Sequence, residues 1–371
     1  MPFWRFLVAL ALLLCTGVTL ASVLRSAPVR SGPATFPALP RDTDILGYPR
    51  LLPLGLKTDT TPLLVSDSPE TPQTSGLLYR DRVQGAARVM AYHVNGLGQP
   101  ARLLIVAEQI GDGRPVQGRF LTVMRRGSAI TTGPDPVIGQ QTLLRYFASR
   151  AGDGPPLPVL AGRPLTLYDS GVLRPGQVVS VLLDLSTGPA VTVSVYMLRE
   201  GEAPGADVSV LAPDGVHQRG TFTGANREWS VSLPQPADRA PGPSRLMFSD
   251  ASDPPLTGTD ALTGRPQLLR GNFGVLYSVS LRGAAGFLMA ASARGGPYRG
   301  SLFLQDAAAQ GQVRRTPLLI GRGRALLDGA LPGAIWQIRS DAAQFEFVPA
   351  NGSNLPLALV FYQGGIRRPI R

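Results

Sequence analysis

The chain has 371 residues, 44% of them hydrophobic, and a formal net charge of +11. This length and apolar content exclude a disordered tail and allow one large domain or two of ordinary size. Glycine (43 residues) and proline (35 residues) follow no triplet period, which excludes a collagen-like chain. Because proline breaks helices, this composition favours short strands joined by turns.

The basic side chains are almost all arginine, since Lys57 is the single lysine. A GC-rich genome produces such a bias, and guanidinium groups also suit acidic partners such as an acidic glycan or lipid headgroups. The arginines are scattered and lack the interleaved aromatic side chains of a nucleic-acid surface, so we expect no nucleic-acid partner.

Residues 1–21 have the pattern of a secretory signal peptide. Arg5 precedes an apolar run over residues 6–14, and small residues follow around a predicted cleavage point after Ala21. We therefore expect export to the periplasm, the outer envelope or the cell surface. The alternative is an uncleaved anchor, because residues 6–24 almost suffice to span a bilayer.

The only cysteine, Cys15, lies inside this signal. Leucines precede it where a lipoprotein signal has a small residue, so lipidation is not expected. Cleavage after Ala21 leaves a mature chain without cysteine, which excludes disulfides, thiolate metal sites and cysteine nucleophiles.

The remaining chain divides into three predicted parts. Residues 22–75 resemble a linker or extended arm, because Pro, Ser, Thr and Asp dominate them. Residues 76–203 and 204–371 read as two β-rich domains, or as one unit. The predicted fold class is all-β, with one or two antiparallel β-sandwiches, a single short helix and many Gly/Pro turns.

Alternating apolar residues predict a hairpin from strands 88–95 and 102–108, and Asp135-Pro136 predicts the start of a helix over 136–149. Residues 201–265 are expected to be mostly loop. Further strands are predicted at 118–125, 177–185, 190–198, 275–281, 286–292, 300–305, 334–339, 344–348 and 355–362.

Few chemistries fit this composition. Lys57 lacks the glycine context of a phosphate-binding loop, and no Gly-x-Ser-x-Gly elbow is present. The two histidines, His93 and His217, are too few for a three-imidazole metal centre. Each suits a hydrogen-bonded structural role, and the sharper hypothesis is a two-imidazole copper site completed by carboxylate, backbone or water.

Two further hypotheses concern binding. Asp250, Asp253 and Asp260 lie in one oxygen-rich segment that could hold calcium, although they lack EF-hand spacing and also suit turns. Trp229 and Trp336 could contact a glycan, or they could belong to the core.

Several motifs resemble a little-characterised group of secreted, β-rich bacterial proteins. They are Tyr92-His-Val-Asn95, His217-Gln-Arg-Gly-Thr-Phe222, residues 253–260, Gly271-Asn-Phe-Gly-Val-Leu-Tyr277, Gly295-Gly-Pro-Tyr-Arg-Gly300 and Asn351-Gly-Ser-Asn-Leu-Pro356. Members of this group are often labelled copper amine oxidase. That chemistry requires three histidine ligands and an Asn-Tyr-Asp/Glu motif, whereas Phe273 follows Asn272 here.

The chain also resembles accessory proteins of surface-layer complexes in Deinococcus-type bacteria. That resemblance implies an envelope component that oligomerises and binds other envelope or surface-layer proteins. It also implies an alternative, a copper-dependent redox protein of superoxide dismutase type using His93 and His217. With two histidines and one lysine, a structural or interaction protein is the leading hypothesis.

Overall fold

The part of the chain that the computed structural model describes contains twenty strands and one α-helix. That part comprises residues 42–109, 120–149, 155–160, 163–205, 207–234, 242–307, 313–320 and 335–363. The elements are β1 (Leu54–Thr58), β2 (Pro62–Ser66), β3 (Gly76–Val94), β4 (Ala101–Gln109), β5 (Phe120–Thr131), α1 (Val137–Ala148), β6 (Leu157–Pro158), β7 (Leu165–Asp169), β8 (Val178–Arg199), β9 (Arg219–Thr223), β10 (Asn226–Ser232), β11 (Ser244–Phe248), β12 (Leu256–Asp260), β13 (Arg265–Leu269), β14 (Leu276–Arg282), β15 (Phe287–Ala293), β16 (Gly300–Ala307), β17 (Val313–Ile320), β18 (Ile335–Gln337), β19 (Ala342–Phe347) and β20 (Leu357–Gln363). The all-β fold class is thereby confirmed.

The largest sheet has ten strands and is organised around the long strands β3 and β8. Its main order is β13-β12-β9-β2-β3-β8-β4-β7, with β5 paired to β8 and β6 to β5. The first part of β8 pairs with β5 and the last part with β4, while β3 follows both parts. Apolar side chains from both parts, such as Val181 and Val195, share one core.

Two smaller sheets supply many of the strands of the main core, and strands of the ten-stranded sheet supply others. The six-stranded sheet has the order β1-β10-β14-β19-β16-β17, and the four-stranded sheet has the order β11-β20-β15-β18. Trp229, Tyr277 and Phe345 of the former share this core with Phe248 and Phe361 of the latter. The Phe248 ring contacts the rings of Trp229, Tyr277 and Phe345, and it stacks on Trp229 at 5.1 Å between centroids.

The helix α1 packs against the main core with Leu143 and Phe147. It begins as the sequence predicts, because Oδ1 of Asp135 accepts a hydrogen bond of 2.8 Å from the Val137 N–H. No helix in the described ranges is long and apolar enough to cross a membrane.

The predicted hairpin of strands 88–95 and 102–108 is wrong. Both strands form, but β8 lies between β3 and β4 and pairs with each of them. Alternation of apolar and polar residues identifies a half-buried strand but does not specify the strand beside it. A strand that comes later in the chain, here β8, can therefore lie between two strands that are consecutive in the sequence. Residues 178–199 also form one strand instead of the two predicted.

The predicted linker is wrong from residue 42 onward, since β1 and β2 lie within it. Ile45 is fully buried against the four-stranded sheet. The Arg245 guanidinium donates hydrogen bonds of 2.8 Å to the carbonyl oxygens of Ile45 and Tyr48, which fixes this segment in place.

Residues 201–265 contain four short strands, β9 to β12, where mostly loop was predicted. Strands from both sides of residue 203 share the ten-stranded sheet, and the described residues belong to one compact unit. Most strand pairs are antiparallel, as predicted, but β2–β3 and β10–β14 are parallel. The predicted signal, residues 1–21, lies outside the described residues.

One arginine–aspartate pair connects two of the sheets. Arg88 and Asp184 are cross-strand neighbours, with Arg88 Nε 2.6 Å from Asp184 Oδ1. Arg88 also donates to the carbonyl oxygen of Ala225 at 2.6 Å and to Asn226 Oδ1 at 2.9 Å, at the entry to the six-stranded sheet. Tyr146 of α1 donates to the same aspartate at 2.6 Å. One guanidinium and its partner thus hold the ten-stranded sheet, the helix and the six-stranded sheet together.

Replacing Arg88 by methionine should lower the free energy of unfolding by about 3 kcal/mol, the low end for a buried pair, because the partly buried Asp184 loses its main partner. Urea-induced unfolding measures this change. The matched control is Arg102→Met, which breaks an exposed pair with Asp169 and should cost less than about 1 kcal/mol. Equal and small losses in both variants would contradict the assigned role of Arg88.

Candidate functional site

Both histidines of the chain contact one short segment, residues 66–70, between β2 and β3. His93 bonds to Ser66 and Pro69 in this segment, and His217 bonds to Glu70. The two imidazoles, although 124 positions apart by their residue numbers, are brought to the same loop by the parallel pairing of β2 with β3 and the antiparallel pairing of β2 with β9. We call residues 66–70, His93, Asp214 and His217 the histidine–carboxylate cluster.

The His93 ring is the buried member of the cluster. Its Nδ1 lies 3.0 Å from the Pro69 carbonyl oxygen, so this nitrogen carries the proton and donates. Its Nε2 lies 2.9 Å from Ser66 Oγ and accepts from the hydroxyl. Burial lowers the pKa of His93 to about 4, outweighing these hydrogen bonds, so the ring is neutral at physiological pH.

The His217 ring is partly exposed and lies between two carboxylates. Its Nε2 is 3.0 Å from Glu70 Oε2, and its Nδ1 is 2.8 Å from Asp214 Oδ2. Asp214 also accepts hydrogen bonds from the Glu70 N–H and from Ser68 Oγ. Burial acts to raise the pKa of Asp214, but hydrogen bonds from the Glu70 N–H, the His217 side chain and the backbone N–H groups of His217 and Val216 hold it well below its usual range. Asp214 therefore remains a carboxylate that fastens the turn at 214–217 to the loop.

Asp67 is the least satisfied member of the cluster. Its buried Oδ1 has no hydrogen-bond partner. Burial, followed by the neighbouring carboxylates of Glu70 and Asp214, raises the pKa of Asp67 well above its ordinary value. Burial also raises the pKa of Glu70, and Asp214 raises it further against the opposing effect of His217. The cluster thus has two carboxyl groups that resist ionisation and one that favours it.

The copper hypothesis gains no support from this geometry. All four imidazole nitrogens already have partners, and a metal at His93 would have to displace Ser66 inside the protein. Within the ranges that the structure describes, no group of three His, Cys, Asp or Glu side chains is placed to hold a metal ion. The copper site stays a prediction.

The three aspartates of the calcium hypothesis each bond to a different arginine. Asp250 pairs with Arg50 at 2.6 Å, Asp260 with Arg219 at 3.1 Å, and Asp253 with Arg227. Asp253 and Asp260 are buried, so their oxygens neutralise guanidinium groups inside the fold. Among the described residues, these three aspartates form no group that is placed to hold a metal ion.

The two tryptophans proposed as glycan contacts belong to the main core. Trp229 is 4% exposed and Trp336 is 9% exposed. A ring that is to stack on a sugar needs an accessible face, and these rings pack on other apolar side chains instead. The alternative assignment of these residues to the core is therefore the one that the structure supports.

A small cavity in the described part of the chain lies between α1 and the sheets. Met90, Leu143 and Leu182 contribute apolar walls, and Thr142 and Ser180 contribute hydroxyl groups. Its interior is on the scale of single water molecules, which is far below the several hundred Å³ of a ligand site.

The cluster contains three carboxyl groups that the sequence did not single out. Asp67 and Glu70 lie in the predicted linker, where polar residues indicated disorder. Asp214 had a usable signal, since its position three residues before His217 in a Gly-containing turn is typical of a side chain capping a turn. Its Oδ1 indeed accepts the N–H groups of Val216 and His217.

Comparison with known proteins assigns neither a family nor a function to this chain. No family model matches the chain, and no curated protein matches it. Among solved structures, the CUB1-EGF-CUB2 domains of rat MASP-1 align over 81% of this chain and 99% of that chain, at 10% identity and a TM-score of 0.19. The PBSX exported protein XepA aligns over 78% of this chain and 86% of its own, at 8% identity and a TM-score of 0.16.

Asp67→Asn should stabilise the protein at neutral pH by about 1–3 kcal/mol, because the neutral amide removes a negative charge that is buried and lies near Glu70 and Asp214. Because the folded-state pKa of Asp67 is raised, its contribution is fully present below the ordinary aspartate pKa and is lost as pH rises through the raised value. The variant should therefore show a flatter decline in unfolding free energy with rising pH. Asp207→Asn, at an exposed position, is the control and should leave the profile unchanged; a variant profile as steep as that of the wild type would contradict the prediction.

Metal analysis of the purified protein should give copper far below one ion per chain. The reason is that Ser66, Pro69, Glu70 and Asp214 already occupy the imidazole nitrogens. His93→Ala and His217→Ala should give the same low content. One copper per wild-type chain that disappears in both variants would instead establish the copper site.

Proposed function

We propose that the protein is an exported, non-catalytic component of the bacterial cell envelope that works through its surfaces within a larger surface-layer-type assembly. The observation that carries this proposal is that the predicted site residues form hydrogen bonds and ion pairs with other parts of the same fold. His93, Asp253 and Asp260 bond inside the fold, and His217 fastens a turn to a loop. These groups act as connections between parts of the fold.

The rigidity of the framework also favours a role in assembly. Three buried or nearly buried arginine–aspartate pairs connect separate strands and loops; they are Arg88–Asp184, Arg219–Asp260 and Arg227–Asp253. Breaking such a pair leaves an unpaired charge inside the protein, so these contacts favour a single arrangement. A surface component must present the same face to every neighbour, and a fixed framework serves that purpose.

The proposed partners follow from charge. The net charge of +11 suits neighbouring envelope or surface-layer proteins with acidic faces, an acidic glycan or lipid headgroups. Binding of this kind should weaken as salt is raised, because exposed charges separated by more than about 10 Å are screened at 0.1 M ionic strength.

Export is tested by expressing the full chain and analysing the fractions of the cell. The wild type should be recovered from the envelope or medium with an N-terminus at Ser22, because residues 1–21 are expected to be removed. Leu12→Arg, which interrupts the apolar run, should keep the chain in the cytoplasm. The matched control is Val172→Arg at an exposed position outside the signal, and it should be exported normally.

Two outcomes would contradict the proposed function. One is a wild-type chain that remains in the cytoplasm with residues 1–21 intact. The other is robust turnover by the purified exported protein that persists after trace contaminants are removed, since an assembly component needs no catalytic activity.

A further inference from the structure

Two of the five asparagines of the chain, Asn95 and Asn351, directly precede a glycine. In such a pair the backbone nitrogen of the glycine can approach the side-chain carbonyl carbon of the asparagine, because glycine has no side chain to obstruct the approach. The two atoms belong to neighbouring residues and can close a five-membered ring, so the reaction needs no encounter between molecules. The other three asparagines precede arginine, phenylalanine and leucine, which are bulky.

The fold protects Asn95 from this reaction. Asn95 is 1% exposed, and its Nδ2 donates hydrogen bonds to the carbonyl oxygens of Gln99 at 2.9 Å and Leu173 at 2.8 Å. Its Oδ1 accepts a hydrogen bond of 3.0 Å from the Leu97 N–H. Turning the side chain towards Gly96 would break all three bonds inside the protein, and buried groups left without partners are costly.

Asn351 is held less firmly. It lies with Gly352 in the turn between β19 and β20, where Asn351 is half-buried and Gly352 is exposed. Within the described ranges, the Asn351 amide makes a single hydrogen bond, from Nδ2 to Ser180 Oγ at 3.1 Å, and the Gly352 N–H makes none. Gly352 has a φ of 70°, a conformation that favours glycine, so the turn itself requires the residue that leaves this nitrogen unobstructed.

We propose that Asn351 is a site of spontaneous deamidation. The Gly352 nitrogen gives its proton to solvent and bonds to Cγ of Asn351, the bond between Cγ and Nδ2 breaks, and the amide nitrogen takes up a proton and leaves as ammonia. Water then opens the resulting succinimide ring at one of its two carbonyl carbons. Opening at Cγ gives aspartate. Opening at the backbone carbonyl carbon gives isoaspartate, in which the main chain runs through the former side chain.

The turn at Asn351 connects β19 and β20 to two other elements. The helix α1 packs so closely on it that a methyl group at Gly139 would overlap the Asn351 carbonyl oxygen. Ser180 of β8 accepts the Asn351 hydrogen bond. Isoaspartate adds one carbon to the main chain here, and a closely packed interior transmits such a change to its neighbours. We therefore expect isoaspartate at position 351 to weaken the packing of α1.

Peptide mapping by mass spectrometry tests the site, using the folded mature protein stored at mildly alkaline pH. Asn351 should be deamidated at least about tenfold faster than Asn95, which corresponds to about 1.4 kcal/mol in activation free energy. In protein kept unfolded in urea the two asparagines should react at similar rates, since only the fold distinguishes them. Asn351 that stays intact, or Asn95 that reacts as fast as Asn351 in the folded protein, would overturn the proposal.

Two variants separate this site from its surroundings. Asn351→Gln should remove the deamidation at this turn, because glutamine would have to close a larger ring. The matched control is Asn354→Gln, at an exposed asparagine in the same loop, and it should deamidate at position 351 like the wild type. Asn354→Gln protein that no longer reacts at position 351 would contradict the assigned pair of reacting atoms.

The products identify the route. Ring opening should yield isoaspartate, detected by isoaspartate-specific carboxyl methylation, and the rate should rise with pH because the attacking nitrogen must lose its proton. Aspartate without isoaspartate would indicate direct hydrolysis and would overturn the succinimide route.

Hydrogen exchange measures the consequence for the fold. The amides of α1 should exchange faster in stored wild type than in Asn351→Gln stored beside it, and equal rates would overturn the expected effect on α1. The reaction needs only the folded chain and water, so it does not depend on the proposed assembly role.

Discussion

The guanidinium of Arg88 is the group on which the arrangement of the sheets most depends. It is buried within the ten-stranded sheet and bonds to Asp184, while its remaining donors reach Ala225 and Asn226 at the entry to the six-stranded sheet. Removing both charges from water is costly, and close geometry with several hydrogen bonds offsets that cost. Asp184, together with Tyr146, raises the pKa of Arg88 against the lowering effect of burial, so this side chain stays charged in the core.

In the histidine–carboxylate cluster, too, burial and hydrogen bonds decide which groups are charged. Asp214 stays ionised because the Glu70 N–H and His217 donate to it, and His93 stays neutral because it is buried. Asp67 is the exception, a carboxyl whose neighbours are also acidic and whose Oδ1 has no donor. The cluster therefore stabilises the loop over residues 66–70 through most of its members and destabilises it through one.

The sequence predicts individual elements here better than it predicts their neighbours. Strong alternation located β14 and the apolar run located β20, and Asp135-Pro136 located the start of α1. The partner of β3 could not be predicted, because alternation is the same whichever strand lies alongside. The composition of residues 42–66 indicates a linker, because prolines and polar residues separate the few apolar side chains. Ile45 is nevertheless buried, through contacts with strands far along the chain that the local sequence does not reveal.

In the candidate site, too, the sequence indicates individual residues but not which residues lie next to them. His93 and His217 are candidates because the chain has only two histidines. Their separation in the sequence does not indicate that one loop contacts both of them. The carboxyl groups of Asp67 and Glu70 lay in a segment that composition classed as unstructured. Asp250, Asp253 and Asp260 looked like one group in sequence, and they separate in space because each one has its own arginine.

The single lysine of the chain makes the amine reactivity of β1 different from that of every other strand. Lys57 is exposed on this edge strand and carries the only side-chain amine of the whole chain. Reagents that acylate amines will therefore modify one side-chain position, and it lies on β1. A fluorophore or a surface linkage introduced by ordinary amine coupling would be confined to two positions, Lys57 and the α-amine of the N-terminus, in a protein whose many arginines stay unmodified.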